Sequence, residues 1–364
     1  PLGNESVRLL RLSEQGRTVY HQGDLFLWIT DLANPLDIYE HLEGLHRIVQ
    51  AGIRVDGNDI DLTFNCGVDS AHQRPIASRI ANAEQAAHED ELVQHNLGIE
   101  ADVKWEISLL GALDRAIDNG EVWVCYQPKY DLASRTIRGA EALIRWTHPE
   151  RGAIPPDQFI RIAEQHHRIE RITQFVLDDA ARTAASIRRS GRDFAVSVNI
   201  SAQLLRFSGL PDMILEATEA HGLPPCGLVL EITETDRLDR SSATFAMLQR
   251  LVEMGFRLSI DDFGTGNATI DYLRYLPAEE VKIDRSFVQG IEASTADRRL
   301  VRSIIDMAHS LDRKVVAEGV ETPTVLGILR DMGCDEAQGY QISRPIRAEE
   351  LRALLGLEEV TRYG

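Results

Sequence analysis

Cysteine is scarce in this sequence, with four in 364 residues. Cys66, Cys125, Cys226 and Cys334 lie dozens of residues apart and form no C-x-x-C pair. That spacing excludes both a disulfide framework and a thiolate metal site. It predicts reduced, partly buried thiols in a cytoplasmic protein. No apolar run approaches the roughly 18 residues of a membrane span, and no signal-peptide pattern opens the sequence. A basic excess is missing too: 39 Lys and Arg stand against 57 Asp and Glu, a net charge of −18. A nucleic-acid polymer is therefore disfavoured as a partner, since binding one needs a basic stripe to displace counterions from phosphates. A small phosphorylated ligand stays open, because bound metal ions reverse the local field. Neither a short-period repeat nor a low-complexity tract is present.

At roughly 150 residues per domain the chain holds two or three domains. A hydrophobic content of 43% and a charged content of 26% are those of an ordinary globular protein. Pro1-Leu2-Gly3 reads as the remnant of a removed tag, so the natural chain is expected to extend upstream. A sensor or a membrane anchor would lie there, with the present part facing the cytoplasm. The first hundred residues read as a small α+β unit. Strands are expected over Val7 to Leu12, Thr18 to Tyr20 and Leu25 to Thr30, separated by Ser13-Glu14-Gln15-Gly16 and by Gly23-Asp24. Leu36 to Ala51 has helical spacing, and Ile53 to Val55 and Ile60 to Cys66 flank the hairpin signal Asp56-Gly57-Asn58. A second helix covers about Ile76 to His88. Polar Glu89 to His95 leads into a linker, giving residues 1–95 as a first domain, 96–104 as linker and 105–364 as a second domain.

From Val103 onward strand-like runs alternate with helix-length amphipathic stretches. The runs are Val122 to Gln127, Ile137 to Trp146, Phe194 to Ile200, Leu228 to Thr233, Arg257 to Asp261, Glu280 to Ile283, Lys314 to Ala317 and a weaker one near Glu336. This rhythm predicts a parallel sheet, and about eight units predict a closed (β/α)8, TIM-like barrel. The whole is thus an α/β protein whose barrel follows a small α+β domain.

Polar residues close nearly every run. Ala140 leads into Glu141, Val198 into Asn199, Leu230 into Glu231 with Glu234 beyond, and Ile260 into Asp261-Asp262. Lys282 and Asp284 flank Ile283, Glu318 follows Ala317 with Glu321 beyond, and Gln338 ends the last run. One such residue is a solvated rim or a helix cap. Several converging on the mouth where barrel strands end are a site. Carboxylates crowded there repel one another and rise in pKa unless cations neutralise them, which points to hard divalent metal held by oxygen ligands. Adjacent Asp261 and Asp262 suit two ions ~3.5–4 Å apart, as in two-metal phosphoryl transfer; the plainer reading is a strand-end Asp beside a helix cap. Lys282 sits within an apolar run and needs a partner there. It holds a phosphate oxygen or water, or, less compatibly with so many carboxylates, forms a Schiff base. Arg145 faces an anionic ligand or makes an ordinary surface ion pair.

Glu141-Ala142-Leu143-Ile144-Arg145-Trp146 resembles the signature of the EAL domains, phosphodiesterases of the bacterial messenger cyclic di-GMP. Tyr126-Gln127-Pro128, Val198-Asn199-Ile200-Ser201, Leu230-Glu231-Ile232-Thr233-Glu234 and Asp261-Asp262-Phe263-Gly264-Thr265-Gly266 extend the resemblance in family order. Lys282-Ile283-Asp284, Ala317-Glu318-Gly319-Val320-Glu321 and Gln338-Gly339-Tyr340 complete it, over about Trp105 to Leu355. The resemblance implies metal-dependent hydrolysis of cyclic di-GMP to linear pGpG by a water activated between two Mg²⁺ or Mn²⁺ ions, with Ca²⁺ inhibitory. It assigns Glu141, Asn199, Glu231 and Asp261 to the first ion, and Asp261, Asp262 and Glu318 to the second. It gives Lys282 the attacking water, Glu318 a second role as general base, and Glu234 the task of holding the Asp-Phe-Gly-Thr-Gly loop. Gln127, Leu143, Arg145, Asp284, Glu321 and Gln338 fall at substrate-binding positions. A homodimer through the barrel is a further implication.

One departure from the family pattern is Asn267-Ala268-Thr269, where active members often carry an aromatic residue and two serines. It motivates the alternative of a catalytically silent cyclic di-GMP receptor. A barrel enzyme acting on another phosphate ester is a third reading, resting on architecture alone. The first domain is similar to the later part of a GGDEF domain: Gln22-Gly23-Asp24-Leu25-Phe26 stands where that signature belongs, with Gln22 and Leu25 replacing the first glycine and the catalytic acid. This implies a non-catalytic regulatory module, degenerate and partial.

Overall fold

The computed structural model describes residues 115–165, 168–233, 242–264 and 274–357, together with 19–22, 25–28, 53–55, 58–60, 75, 78–80, 83, 109 and 112–113. The chain divides into two compact units, Pro1–Gly111 and Ala112–Gly364. In the first, Val19–Gln22 pairs antiparallel with Leu25–Trp28, placing Gln22 opposite Leu25. Ile53–Val55 pairs with Asn58–Ile60, leaving Asp56-Gly57 between the partners Val55 and Asn58, the spacing an Asp-Gly pair favours. The expected strand at 7–12, the helix at 36–51 and the stretch 96–104 lie outside the described residues.

In the second unit eight strands close into a barrel: β1 (Val122–Asp131), β2 (Thr136–His148), β3 (Ala195–Asn199), β4 (Leu228–Thr233), β5 (Arg257–Phe263), β6 (Glu280–Ile283), β7 (Lys314–Ala317) and β8 (Glu336–Gln338). Strands β2 to β8 are parallel in chain order. The all-parallel expectation fails at β1, which closes the ring antiparallel to both β2 and β8. The reason is chain length. Only residues 132–135 join β1 to β2, and a parallel pairing needs a crossover of about a dozen residues or more. Strand β2 also runs past the barrel, pairing with β3 over Gly139–Ala142 and then with Gly152–Ile154. Glu141 is therefore inside a long strand rather than at its end.

Among the described residues, helices lie in the crossovers from β2 to β5 and from β6 to β8: α1 (Pro156–Gln165) and α2 (Ile169–Arg188), α3 (Leu210–His221), α4 (Ser242–Glu253), the short α5 (Arg285–Val288) with α6 (Thr295–Ser310), and α7 (Pro323–Asp331); α8 (Ala348–Leu354) follows β8. Their starts are written locally. Ser294 Oγ accepts from Asp297 N at 3.1 Å, and Thr322 Oγ1 accepts from Val325 N at 3.2 Å, each satisfying a first-turn donor. Val301, Ile305, Val325 and Leu329 on α6 and α7 pack on Ile260, Val281, Ile283, Val315 and Ala317 of β5 to β7. Full burial of each Val, Ile or Leu contributes about 1.5–3 kcal/mol. At Gly139 a Cβ would stand 2.9 Å from the Ala195 carbonyl oxygen, so glycine there lets β2 and β3 close the wall. Among the described residues no helix is long and apolar enough to cross a membrane.

Candidate metal centre

The register of the parallel strands brings the polar residues to one level. Glu231 on β4 stands opposite Asn199 on β3 and Ser259 on β5, and Gln127 on β1 stands opposite Glu141 on β2. Asp261 needs a further device to act together with its neighbour, because consecutive strand residues point to opposite faces. The β5–β6 pairing shifts between Ile260 and Phe263, so Asp261 and Asp262 share the space opposite Lys282. Asp262 adopts a left-handed backbone, φ +54°, and its N–H donates to Asp261 Oδ1 at 2.9 Å. This is a bulge that re-aims one carboxylate, at a residue type that tolerates positive φ.

Two carboxylate triads result. One oxygen from each of Glu141, Glu231 and Asp261 lies within 4.8 Å of the others, and the same holds for Asp261, Asp262 and Glu318. Lys282 stands among them, its Nζ 2.7 Å from Glu318, 2.9 Å from Glu231, 3.0 Å from Asp261 and 3.4 Å from Glu141. Asn199 Nδ2 donates to Glu141 Oε1 at 2.9 Å, and Gln338 Nε2 to Glu141 Oε2 at 2.7 Å and to Gln127 Oε1 at 3.0 Å. All-oxygen carboxylate and amide donors fit a hard divalent ion such as Mg²⁺, Mn²⁺ or Ca²⁺.

The electrostatics show the same need. Burial raises the Glu141 and Asp261 carboxyls, and neighbouring carboxylates add to it, Glu231 and Asp261 on Glu141, Glu231 and Asp262 on Asp261. Asp262 is raised by burial and by Asp284. Burial, then Asp261 and Glu141, push Glu318 up to about 8. Burial opposes the Lys282 ammonium, yet its four carboxylate neighbours hold its pKa well above the usual lysine range. Glu231 alone goes down: burial works against its charge, but Lys129 and Lys282 outweigh it and bring it to about 2. Five carboxylates with two ammonium ions leave an excess of negative charge that divalent ions would neutralise.

The residues expected at the substrate are more dispersed. Gln338 joins the cluster by donating to Glu141, and Gln127 joins it by accepting from Gln338. Leu143 and Arg145 lie further along β2, half-buried, with Arg145 Nη1 donating to the Ile144 carbonyl at 2.8 Å. Asp284 caps α5 by accepting from Ser286 N at 3.0 Å and stands close enough to Asp262 to raise it. Glu321 is exposed. Glu234 and Asn267-Ala268-Thr269 lie outside the described residues. Sequence reasoning missed Lys129, which is 3% exposed and donates to Ser197 Oγ at 2.7 Å, Glu231 Oε1 at 2.8 Å and Glu280 Oε1 at 2.9 Å. The apolar run Val122 to Gln127 stops short of it, whereas the strand continues through Pro128 to Asp131. The two-residue alternation from Gln127 to Lys129 was the available signal.

Residues 110–345 match the family model for the EAL domain. Among curated proteins, the cyclic di-GMP phosphodiesterase NbdA of Pseudomonas aeruginosa is 35% identical over 342 residues, 92% of this chain and 44% of its own length. MucR of the same organism, a bifunctional diguanylate cyclase/cyclic di-GMP phosphodiesterase, is 32% identical over 345 residues, 91% of this chain and 50% of its own. This chain spans half or less of those relatives. A solved structure of the PaMucR phosphodiesterase in complex with c-di-GMP matches with a TM-score of 0.64 at 38% identity, covering 67% of this chain and 99% of that one.

Proposed function

This chain belongs to the EAL domain family, and on that premise we propose that it is a metal-dependent phosphodiesterase hydrolysing cyclic di-GMP to linear pGpG. The observation that carries the reading is the pair of carboxylate triads sharing Asp261 around buried Lys282. Glu141, Asn199, Glu231 and Asp261 would hold one Mg²⁺ or Mn²⁺ ion, and Asp261, Asp262 and Glu318 would hold a second. When bound, such ions supply Lewis-acid charge and a nucleophilic water near neutral pH. Lys282 orients the attacking water from among the ligands, and Glu318 accepts its proton. Gln127, Leu143, Arg145, Asp284, Glu321 and Gln338 line the nucleotide's side of the mouth, and Glu234 steadies the loop after Asp262. Ca²⁺ would occupy the site without supporting turnover, and two copies would pair through the barrel. Residues 1–95 form a regulatory GGDEF-like remnant joined by 96–104.

The test is to incubate the chain with cyclic di-GMP in Mg²⁺ or Mn²⁺ and follow pGpG by ion-pair chromatography. Product should form, vanish on chelation, and be absent in Glu141→Ala. Tight nucleotide binding with no product in either metal would instead establish a silent receptor.

A further inference from the structure

Beneath the triads, the barrel interior holds a second buried cation that the hydrolytic reading leaves without a task. Because β1 alone runs antiparallel, the chain descends along it, and Lys129 lies one tier deeper than Gln127 on the same face. Its ammonium has three N–H donors, and each has an acceptor: Ser197 of β3, Glu231 of β4 and Glu280 of β6. It is satisfied in full, across three strands.

The division of labour at Glu231 is specific. Oε1 accepts from Lys129 at 2.8 Å, and Oε2 accepts from Lys282 at 2.9 Å. Glu231 is 0% exposed, so no solvent can replace either donor. Anchored from below through Oε1, the carboxylate can turn only Oε2 toward Glu141 and Asp261. Without the anchor, both oxygens would be free to turn to Lys282, and the group would face the triad in no fixed orientation. We infer that Lys129 is a positioning residue that holds Glu231 for one-oxygen coordination of the divalent ion. The inference rests on the reading of Glu231 as a metal ligand. Lys129 acts through that carboxylate and touches neither ion nor substrate.

Removing a cation close to a metal site should tighten metal binding if charge alone mattered. Losing an outer partner of a ligand weakens it, typically by 10–100-fold. The two outcomes have opposite sign. The experiment titrates the chain with Mn²⁺ and no nucleotide, counting free Mn²⁺ by electron paramagnetic resonance. Lys129→Met should bind Mn²⁺ about 10–100-fold more weakly than wild type, and saturating Mn²⁺ should restore its turnover with the nucleotide KM unchanged. Ser197→Ala removes only the hydroxyl that aims Lys129, at little cost in volume. It should weaken Mn²⁺ binding by a smaller factor than Lys129→Met does, and it carries the test if Lys129→Met fails to fold. Wild-type affinity, or tighter binding, in the folded variants overturns the positioning role. A wild-type chain that binds no Mn²⁺ overturns the metal-site reading itself. A wild-type chain that binds Mn²⁺ but makes no pGpG overturns only the proposed turnover.

Discussion

Lys282→Met tests whether one lysine is the internal counter-ion of the whole site. Its Nζ lies within 3.4 Å of carboxylate oxygens from Glu141, Glu231, Asp261 and Glu318. Methionine keeps much of the volume and removes the charge. Glu231 retains Lys129, so the uncompensated groups are Glu141, Asp261 and Glu318. Breaking a buried ion pair from one side costs about 3–5 kcal/mol. In a unit of this size each kcal/mol moves Tm by about 2–4 °C, so the metal-free variant should melt about 10 °C lower. The pH dependence has a definite sign. Glu318 is raised from 4.5 to about 8 in the folded protein. Its contribution to stability is therefore fully present below the unfolded value and is lost as pH rises through about 8. Losing Lys282 raises the carboxyls further, so the deficit against wild type should grow from pH 6 to pH 9 in EDTA. Mn²⁺ should recover most of it by replacing the missing positive charge. The assay is thermal unfolding in EDTA and in Mn²⁺ across that range. A variant as stable as wild type in EDTA at pH 8, or a deficit that shrinks with rising pH, would show that Lys282 does not neutralise the site.

Two further outcomes follow from local geometry. At Gly339, a Cβ would stand 2.3 Å from both the amide nitrogen and the carbonyl oxygen of Val320, which bind the Gln338 carbonyl and the Gln341 amide across the mouth. Gly339→Ala should therefore destabilise by about 1–3 kcal/mol or more, seen as a lower denaturant midpoint, and an unchanged midpoint would contradict the close approach. Cys226 is exposed, whereas Cys125 and Cys334 are buried, and burial with help from Asp335 pushes the Cys334 thiol up to about 12. Iodoacetamide at pH 8 should modify Cys226 well before those two by peptide mass spectrometry; equal labelling of all three would show that the barrel opens on the reaction timescale.

Much of this site can be found in the one-dimensional pattern. Apolar runs ending in Asn199, Glu231, Asp261 and Glu318 mark strands whose ends converge, because burial along a parallel strand is a local, periodic property. The four-residue link between Asp131 and Thr136 already contained the antiparallel first strand, since loop length limits topology. The apolar run Val122 to Gln127 is only the first part of that strand, which continues to Asp131. Other features have no local signature. The backbone reversal at Asp262, which turns two neighbouring aspartates toward one space, exists because β5 and β6 slip in register opposite Lys282. Lys129 looks like a surface residue after a proline, and becomes a buried anchor only when β1 closes the ring and lowers it between β3, β4 and β6. Local sequence sets which side chains point inward. Which oxygen of Glu231 meets which ammonium depends on barrel closure and strand register, and those are decided by contacts between residues more than a hundred positions apart.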